Sequence, residues 1–178
     1  MKLSKAIEKK AKAIRLIAMD VDGVLTGGEI IIYNSGEEVK VWNVKDRMGF
    51  HLVHRSGADI KFAWITGRSS RQVKERVKEM GIHALVQKCD KKGEALKDIA
   101  RKLSVRLDEV AFIGDDLIDI PAFRIAGFSA CPADAASEVK REVDYIATTP
   151  GGKGVFREIA EIVLKSKGSW RKALQGYV

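Results

Sequence analysis

The 178-residue chain carries 32 Lys and Arg residues against 24 Asp and Glu residues, giving a formal net charge of +8 at pH 7. This length suits one well-filled domain. No apolar run is long enough to span a membrane, and residues 1–15 lack the apolar core of a secretory signal. We therefore expect a cytoplasmic protein without a membrane partner.

The positive charge allows a nucleic acid, a membrane surface or a small anion as the ligand. In residues 69–81 and 91–104, however, acidic residues are interleaved with the basic ones, as on a solvated helix face. No nucleic-acid-binding module is recognisable, and the aromatic residues do not alternate with basic ones. The composition thus predicts no nucleic-acid partner and favours a small anionic ligand. Cys89 and Cys131 form no metal-ligand pattern and are expected to be reduced thiols.

Apolar runs and helical patterns alternate along the chain. Strands are predicted at residues 15–21, 60–66, 84–87, 110–114 and 127–131, and helices are predicted to begin near Ser69, Lys92, Leu117 and Lys153. Strands that alternate with helices imply right-handed crossovers and a sheet covered on both faces. The sequence therefore predicts an α/β fold with a Rossmann-like parallel sheet flanked by helices.

One segment interrupts this alternation directly after the first strand. Residues 28–44 (GEIIIYNSGEEVKVWNV) contain two β-rich runs around the turn sequence Asn34-Ser35-Gly36, which predicts a β-hairpin. The insert is too short to form a cap domain. We therefore expect residues 1–178 to form a single domain without a cap, with a loosely held tail at about residues 165–178.

Polar residues follow four of the predicted strands. Ligands of open α/β sheets bind beyond the carboxyl ends of the strands, so these residues are expected to meet in one cleft. They are Asp20 and Asp22, Thr66-Gly67-Arg68, Asp90-Lys91, and Asp115-Asp116.

Carboxylates crowded in this way need a cation between them, and all-oxygen ligands favour Mg²⁺. The hydroxyl of Thr66, the backbone N–H groups around Gly67 and the ammonium of Lys91 can hold a phosphate. Lys88 and Lys92 lie close to Lys91, which is preferred because it directly follows Asp90. The set indicates phosphoryl transfer through a covalent intermediate.

These residues carry a resemblance to a known family. MDVDGVLTGG (residues 19–28) resembles the first motif of the haloacid dehalogenase superfamily, D-x-D-G-x-x-T, and ITGR, CDKKG and IGDDLID follow in the family's order. The resemblance implies that Asp20 is the nucleophile and that Asp22 is the acid/base. It implies metal ligands from the side chains of Asp20 and Asp115 and from the backbone carbonyl of Asp22, with Asp116 supporting these ligands without touching the metal. Thr66 and Lys91 are then the groups that bind phosphate and balance its charge. Asp119 is expected either to be structural or to support the metal ligands from behind.

The hairpin, VWNVKDRMG (residues 41–49) and PGGKGVFREI (residues 150–159) resemble the capless, tetrameric branch of this superfamily. Members of that branch act on a sugar-acid phosphate in lipopolysaccharide precursor synthesis. The resemblance implies a Mg²⁺-dependent phosphatase, a homotetramer, and substrate contacts from Lys45, Gly67, Arg68 and Lys153. Arg47 departs from the pattern, since a small residue is expected there.

Other functions stay open on the sequence alone. A phosphatase on the same scaffold can act on another sugar phosphate or on a nucleotide phosphate, and the scaffold can also be that of a phosphomutase. An alternative from a different class is a non-catalytic basic binding module. A further hypothesis concerns the tail: residues 169–178 reach the active site of a neighbouring subunit and cover it as a lid.

Overall fold

The computed structural model describes residues 3–178 and contains one six-stranded parallel sheet. The strands are β1 (Leu16–Met19), β4 (Lys61–Ile65), β5 (Ala84–Val86), β6 (Val110–Ile113), β7 (Phe128–Cys131) and β8 (Tyr145–Ile146), in the spatial order β5-β4-β1-β6-β7-β8. The predicted α/β fold is confirmed. The edge strand β8 was not predicted, because two residues are too few to show a periodic pattern.

Helices cover both faces of this sheet. They are α1 (Lys5–Ala13), α2 (Val44–Ser56), α3 (Arg71–Met80), α4 (Lys92–Lys102), α5 (Ile120–Phe123), α6 (Ser137–Lys140), α7 (Val155–Ser166) and α8 (Trp170–Ala173). The helix predicted near Leu117 begins with a 3₁₀ turn, Leu117–Asp119, that leads into α5. In the described part of the chain, no helix has the length and apolar character needed to cross a bilayer.

Each face of the sheet carries its own hydrophobic core. On one face, Phe50 of α2, Phe62 of β4 and Phe156 of α7 pack ring against ring. On the other face, Leu96 of α4 and Phe123 of α5 belong to the second core. Strands that are buried on both sides read as continuous apolar runs, which is why the sequence revealed them. The sheet is thus a rigid base for residues at the ends of its strands.

The predicted hairpin is present between β1 and α2. Its strands β2 (Ile31–Ile32) and β3 (Glu38–Val39) pair antiparallel, with Ile31 opposite Val39. The turn between them places Gly36 at a positive φ of 83°. Ile31, Ile32 and Tyr33 are exposed. This short insert leaves the sheet end without a cap domain within residues 3–178.

The tail differs from the expectation that it is loosely held. Ala173 of α8 is buried in the core, and Trp170 packs against the same core. Arg55 of α2 donates a hydrogen bond to the carbonyl of Gln175 and lies 5.1 Å from the ring centre of Tyr177. The apolar residues of the tail therefore dock it on its own chain. The lid hypothesis stays untested, since it concerns a neighbouring subunit.

Candidate active site

The ends of β1 and β6 bring together carboxylates that are distant in sequence. Asp20 directly follows β1, and its backbone N–H donates to the carbonyl of Ile113, the last residue of β6, at 2.9 Å. Asp115 comes two residues after Ile113. Carboxylate oxygens of Asp20, Asp115 and Asp119 lie within 4.8 Å of one another. We call these three residues the aspartate cluster.

A glycine makes this close approach possible. Gly23 has φ +94°, and a Cβ at this position would collide with the carboxylate of Asp115. A side chain here would therefore be strained and would also push Asp115 out of place. The glycine of the DxDG motif thus lets the loop after β1 lie directly against the end of β6.

Lys92, and not Lys91, balances the charge of the cluster. The Nζ atom of Lys92 lies 2.9 Å from Asp20 Oδ1 and 2.6 Å from Asp119 Oδ1, and its side chain is only 1% exposed. Lys91 is 77% exposed and lies 3.7 Å from Glu94. The structure therefore places Lys92 at the cluster and the predicted Lys91 at the surface, because successive residues at the start of α4 face in different directions.

Asp119 holds both the loop after β6 and the side chain of Lys92. It is fully buried, and its Oδ2 accepts hydrogen bonds from the backbone N–H of Asp115 at 2.9 Å and of Asp116 at 3.3 Å. It thereby fixes the loop after β6 while its other oxygen holds Lys92. Asp116 is exposed and accepts from the N–H of Leu117 at 2.7 Å, so it caps the 3₁₀ turn.

Burial and mutual repulsion raise the pKa values of two carboxyl groups in the cluster. Burial, together with the charge of Asp119, raises the pKa of Asp20 to about 6, against the lowering effect of Lys92. Burial and the charges of Asp20 and Asp119 raise the pKa of Asp115 to about 8. The three carboxyl groups outnumber the one ammonium, so the cluster has excess negative charge when they are ionised. An all-oxygen site with this charge fits a hard divalent ion such as Mg²⁺.

Residues predicted to bind phosphate lie at the end of the neighbouring strand β4. Thr66 is buried directly after β4, which pairs with β1. Its Oγ1 accepts the N–H of Arg68 at 3.2 Å, which leaves the hydroxyl hydrogen free to donate. Gly67 lies between them in the same turn. A hydroxyl and main-chain donors at this edge suit a phosphate oxygen.

A chain of charges links this edge to the hairpin, and sequence reasoning missed it. Lys40 forms an ion pair with Oδ1 of Asp22 and lies 3.3 Å from Glu38 Oε1. Glu38 in turn accepts from Nη2 of Arg68 at 2.9 Å. In the sequence, Glu38 and Lys40 look like the polar face of an exposed strand, and no local signal shows that the Lys40 side chain is 1% exposed and that of Glu38 14% exposed.

Two predicted substrate residues lie apart from the cluster. Lys45 and Lys153 line a groove of about 370 Å³ along the start of α7, and this groove contains none of the three aspartates. Both lysines are exposed. Arg47, the departure from the family pattern, is 60% exposed and pairs with Glu79 at 3.5 Å. It therefore lies on the surface between α2 and α3.

Comparison with known proteins identifies the class. Residues 82–159 match the sequence profile of the haloacid dehalogenase-like hydrolases. A protein of Escherichia coli (strain B / BL21-DE3) is 39% identical over 171 residues, which cover 96% of this chain and 90% of the relative. The chain therefore belongs to the haloacid dehalogenase-like hydrolases.

The similar proteins carry the name of one particular phosphatase within this class. The Escherichia coli protein is a 3-deoxy-D-manno-octulosonate 8-phosphate phosphatase. A crystal structure of the enzyme of that name from Moraxella catarrhalis, with magnesium, phosphate and KDO bound, is 39% identical, with a TM-score of 0.94 over 99% of this chain and all of that one. The cobalt-bound Haemophilus influenzae phosphatase is 36% identical, with a TM-score of 0.85 over 90% of this chain and 93% of that one.

Proposed function

We propose that this chain is a magnesium-dependent phosphatase that hydrolyses 3-deoxy-D-manno-octulosonate 8-phosphate to the free sugar acid and phosphate. The observation that carries the proposal is the aspartate cluster with Lys92 at the joined ends of β1 and β6. The relatives of that name, which match nearly the whole chain, support the substrate. We propose that the reaction serves lipopolysaccharide precursor synthesis.

The reaction follows from the placement of the side chains. Oδ of Asp20 attacks phosphorus while Asp22 gives a proton to the leaving oxygen of the sugar, so the P–O bond to the sugar breaks and an aspartyl phosphate forms. Asp22 then takes a proton from water, which attacks the phosphorus; the P–O bond to Asp20 breaks, so phosphate is released and the Asp20 carboxylate is restored. Lys92 holds Asp20 in place and offsets the charge that gathers on the transferred group.

The metal ligands proposed are the carboxylates of Asp20 and Asp115 and the backbone carbonyl of Asp22. A bound Mg²⁺ supplies positive charge against the phosphate and the carboxylates. Asp119 then serves this site by orienting Lys92 and the backbone of Asp115.

The substrate contacts proposed from the sequence fall into two groups. Gly67 and Arg68 follow β4 next to β1, and the Arg68 side chain is 41% exposed, so it can reach the sugar acid. Lys45 and Lys153 lie in the separate groove along α7, which weakens their assignment to the substrate of the same subunit.

We also propose a cytoplasmic homotetramer in which the chain acts as a single capless domain. The hairpin segment, residues 28–44, carries several exposed apolar residues, and patches of this kind mark protein interaction sites. They are Ile30, Ile31, Ile32, Tyr33, Val41 and Val44. Hairpins packed together would exclude water from the acyl phosphate. The two buried free cysteines suit a reducing compartment.

A phosphate-release assay tests the function. The panel contains 3-deoxy-D-manno-octulosonate 8-phosphate, other sugar phosphates and a nucleoside monophosphate, each with Mg²⁺ and with EDTA. The proposal expects strong preference for the first substrate and loss of activity with EDTA. Metal-dependent release without preference would refute the substrate, and no release from any phosphate would refute the phosphatase.

A further inference from the structure

The hairpin contains a buried charge that the reaction described above does not use. We propose that Lys40 is a positioning residue, which clamps one carboxylate oxygen of Asp22 so that the other is held ready for proton transfer. This inference rests on the proposed phosphatase function and deepens it.

The burial of Lys40 is the first step of the argument. Its side chain is 1% exposed, although it follows a strand of only two residues in an exposed hairpin. An ammonium removed from water needs ionised partners at close range. Lys40 has two, Asp22 and Glu38. A lysine that served only solubility would extend into solvent.

The backbone that carries Lys40 is itself fixed. Gln72 of α3 donates from Nε2 to the carbonyl of Glu38 at 2.7 Å, and Arg68 holds the Glu38 carboxylate at 2.9 Å. These contacts fasten β3 to the helix and the turn that follow β4. The lysine stem therefore starts from a defined point and can orient its partner.

The two oxygens of Asp22 differ in their surroundings. Oδ1 pairs with Lys40, whereas Oδ2 is buried and has no hydrogen-bond partner among residues 3–178. Within the same residues, Lys40 is the one side chain bonded to the Asp22 carboxylate. A carboxyl group that exchanges a proton with a leaving oxygen needs one oxygen free and the group as a whole held in place. The observed pairing meets both requirements.

The experiment uses substrates that differ in their need for a proton. The alkyl phosphate is 3-deoxy-D-manno-octulosonate 8-phosphate, which releases a basic alkoxide that must be protonated, whereas p-nitrophenyl phosphate releases a stable phenolate. Single-turnover rates of Asp20 phosphorylation are measured for both substrates in the wild type, Lys40→Met, Lys40→Arg and the exposed-lysine control Lys97→Met. Light scattering and circular dichroism check assembly and fold.

For Lys40→Met, the rate with the alkyl substrate should fall by about 10²-fold or more, the size of a general-acid contribution. The rate with p-nitrophenyl phosphate should stay within about threefold, because it needs no acid. Lys40→Arg should recover most of the loss, and Lys97→Met should match the wild type. Combining Lys40→Met with Asp22→Asn should add little to Asp22→Asn alone, because both act on one step.

Equal losses with both substrates in a folded variant would overturn the proposal, since they indicate a general structural role. Unchanged rates with both substrates would overturn it as well. Should Lys40→Met fail to fold, Lys40→Gln is compared with Lys40→Arg by the ratio of the rate with the alkyl substrate to the rate with p-nitrophenyl phosphate. A ratio that is the same in Lys40→Gln and in the wild type would also overturn the proposal. A wild type inactive on both substrates would instead refute the proposed function itself.

Discussion

The two walls of the site are built in different ways. The aspartate cluster lies at the joined ends of β1 and β6, where Lys92 and Asp119 are almost completely buried. The hairpin wall is a pair of two-residue strands that buries Lys40 beside the partly exposed Glu38 on one side and exposes isoleucines on the other. The comparison indicates that the chemistry rests on the central sheet, whereas shielding and orientation depend on a thin insert that a few polar contacts hold in place.

The largest expected effect lies at the centre of the cluster. Asp20→Asn removes the nucleophile and keeps its shape, so kcat should fall by about 10⁴-fold or more. Phosphate release in the steady state measures this. A loss of less than tenfold would show that Asp20 is not the nucleophile. Circular dichroism should show the same fold as the wild type.

The two adjacent lysines form a matched pair for the next test. Lys92→Met leaves Asp20 and Asp119 buried without their partner, which should cost about 3–5 kcal/mol of unfolding free energy. The same change should lower kcat by about 10²-fold or more. Lys91→Met, at an exposed position, should change stability by less than about 0.5 kcal/mol. Urea unfolding and turnover are measured on both, and the opposite ranking would restore Lys91 to the site.

A smaller effect is expected at the exposed side of the hairpin. Ile31→Asp places a charge in the apolar patch and should convert the tetramer to smaller species, with kcat lowered about tenfold as water enters the site. Light scattering reports the mass. The same replacement at Ile146, which is exposed on the edge strand β8, serves as the control. A wild type that is already monomeric would contradict the proposed assembly.

The smallest effect concerns a buried carboxylate just after the hairpin. Asp46 accepts the N–H of Arg157 at 3.0 Å, and burial raises the pKa of Asp46 to about 6. Because the folded state then holds the proton more tightly than the unfolded state, Asp46 stabilises less as pH rises from about 4 to 6. The asparagine of Asp46→Asn cannot titrate. The free energy of unfolding of the variant, relative to that of the wild type, should therefore rise by about 2–3 kcal/mol between pH 4 and pH 8.

Urea unfolding at the two pH values measures this difference. Asp20 and Asp115 titrate in both proteins and cancel in the comparison. An offset between variant and wild type that is the same at pH 4 and pH 8 would show that Asp46 is not the group responsible.

The fold and the cluster were largely predictable because their signals are local. Buried parallel strands give continuous apolar runs, and aspartates such as Asp20 and Asp115 stand directly at strand ends. Local patterns cannot decide between Lys91 and Lys92, since only tertiary packing sets which one faces Asp20. The same holds for Lys40, whose burial depends on a carboxylate 18 residues earlier in the chain.

The most direct test of the account is to locate the phosphoryl group during turnover. Asp22→Asn, which cannot activate water, is mixed with p-nitrophenyl phosphate and Mg²⁺, quenched in acid, digested and examined by mass spectrometry. The account predicts one release of p-nitrophenolate per active site and a phosphoryl group on Asp20. Phosphorylation of another residue, or continuous release from a protein that never carries the label, would contradict it.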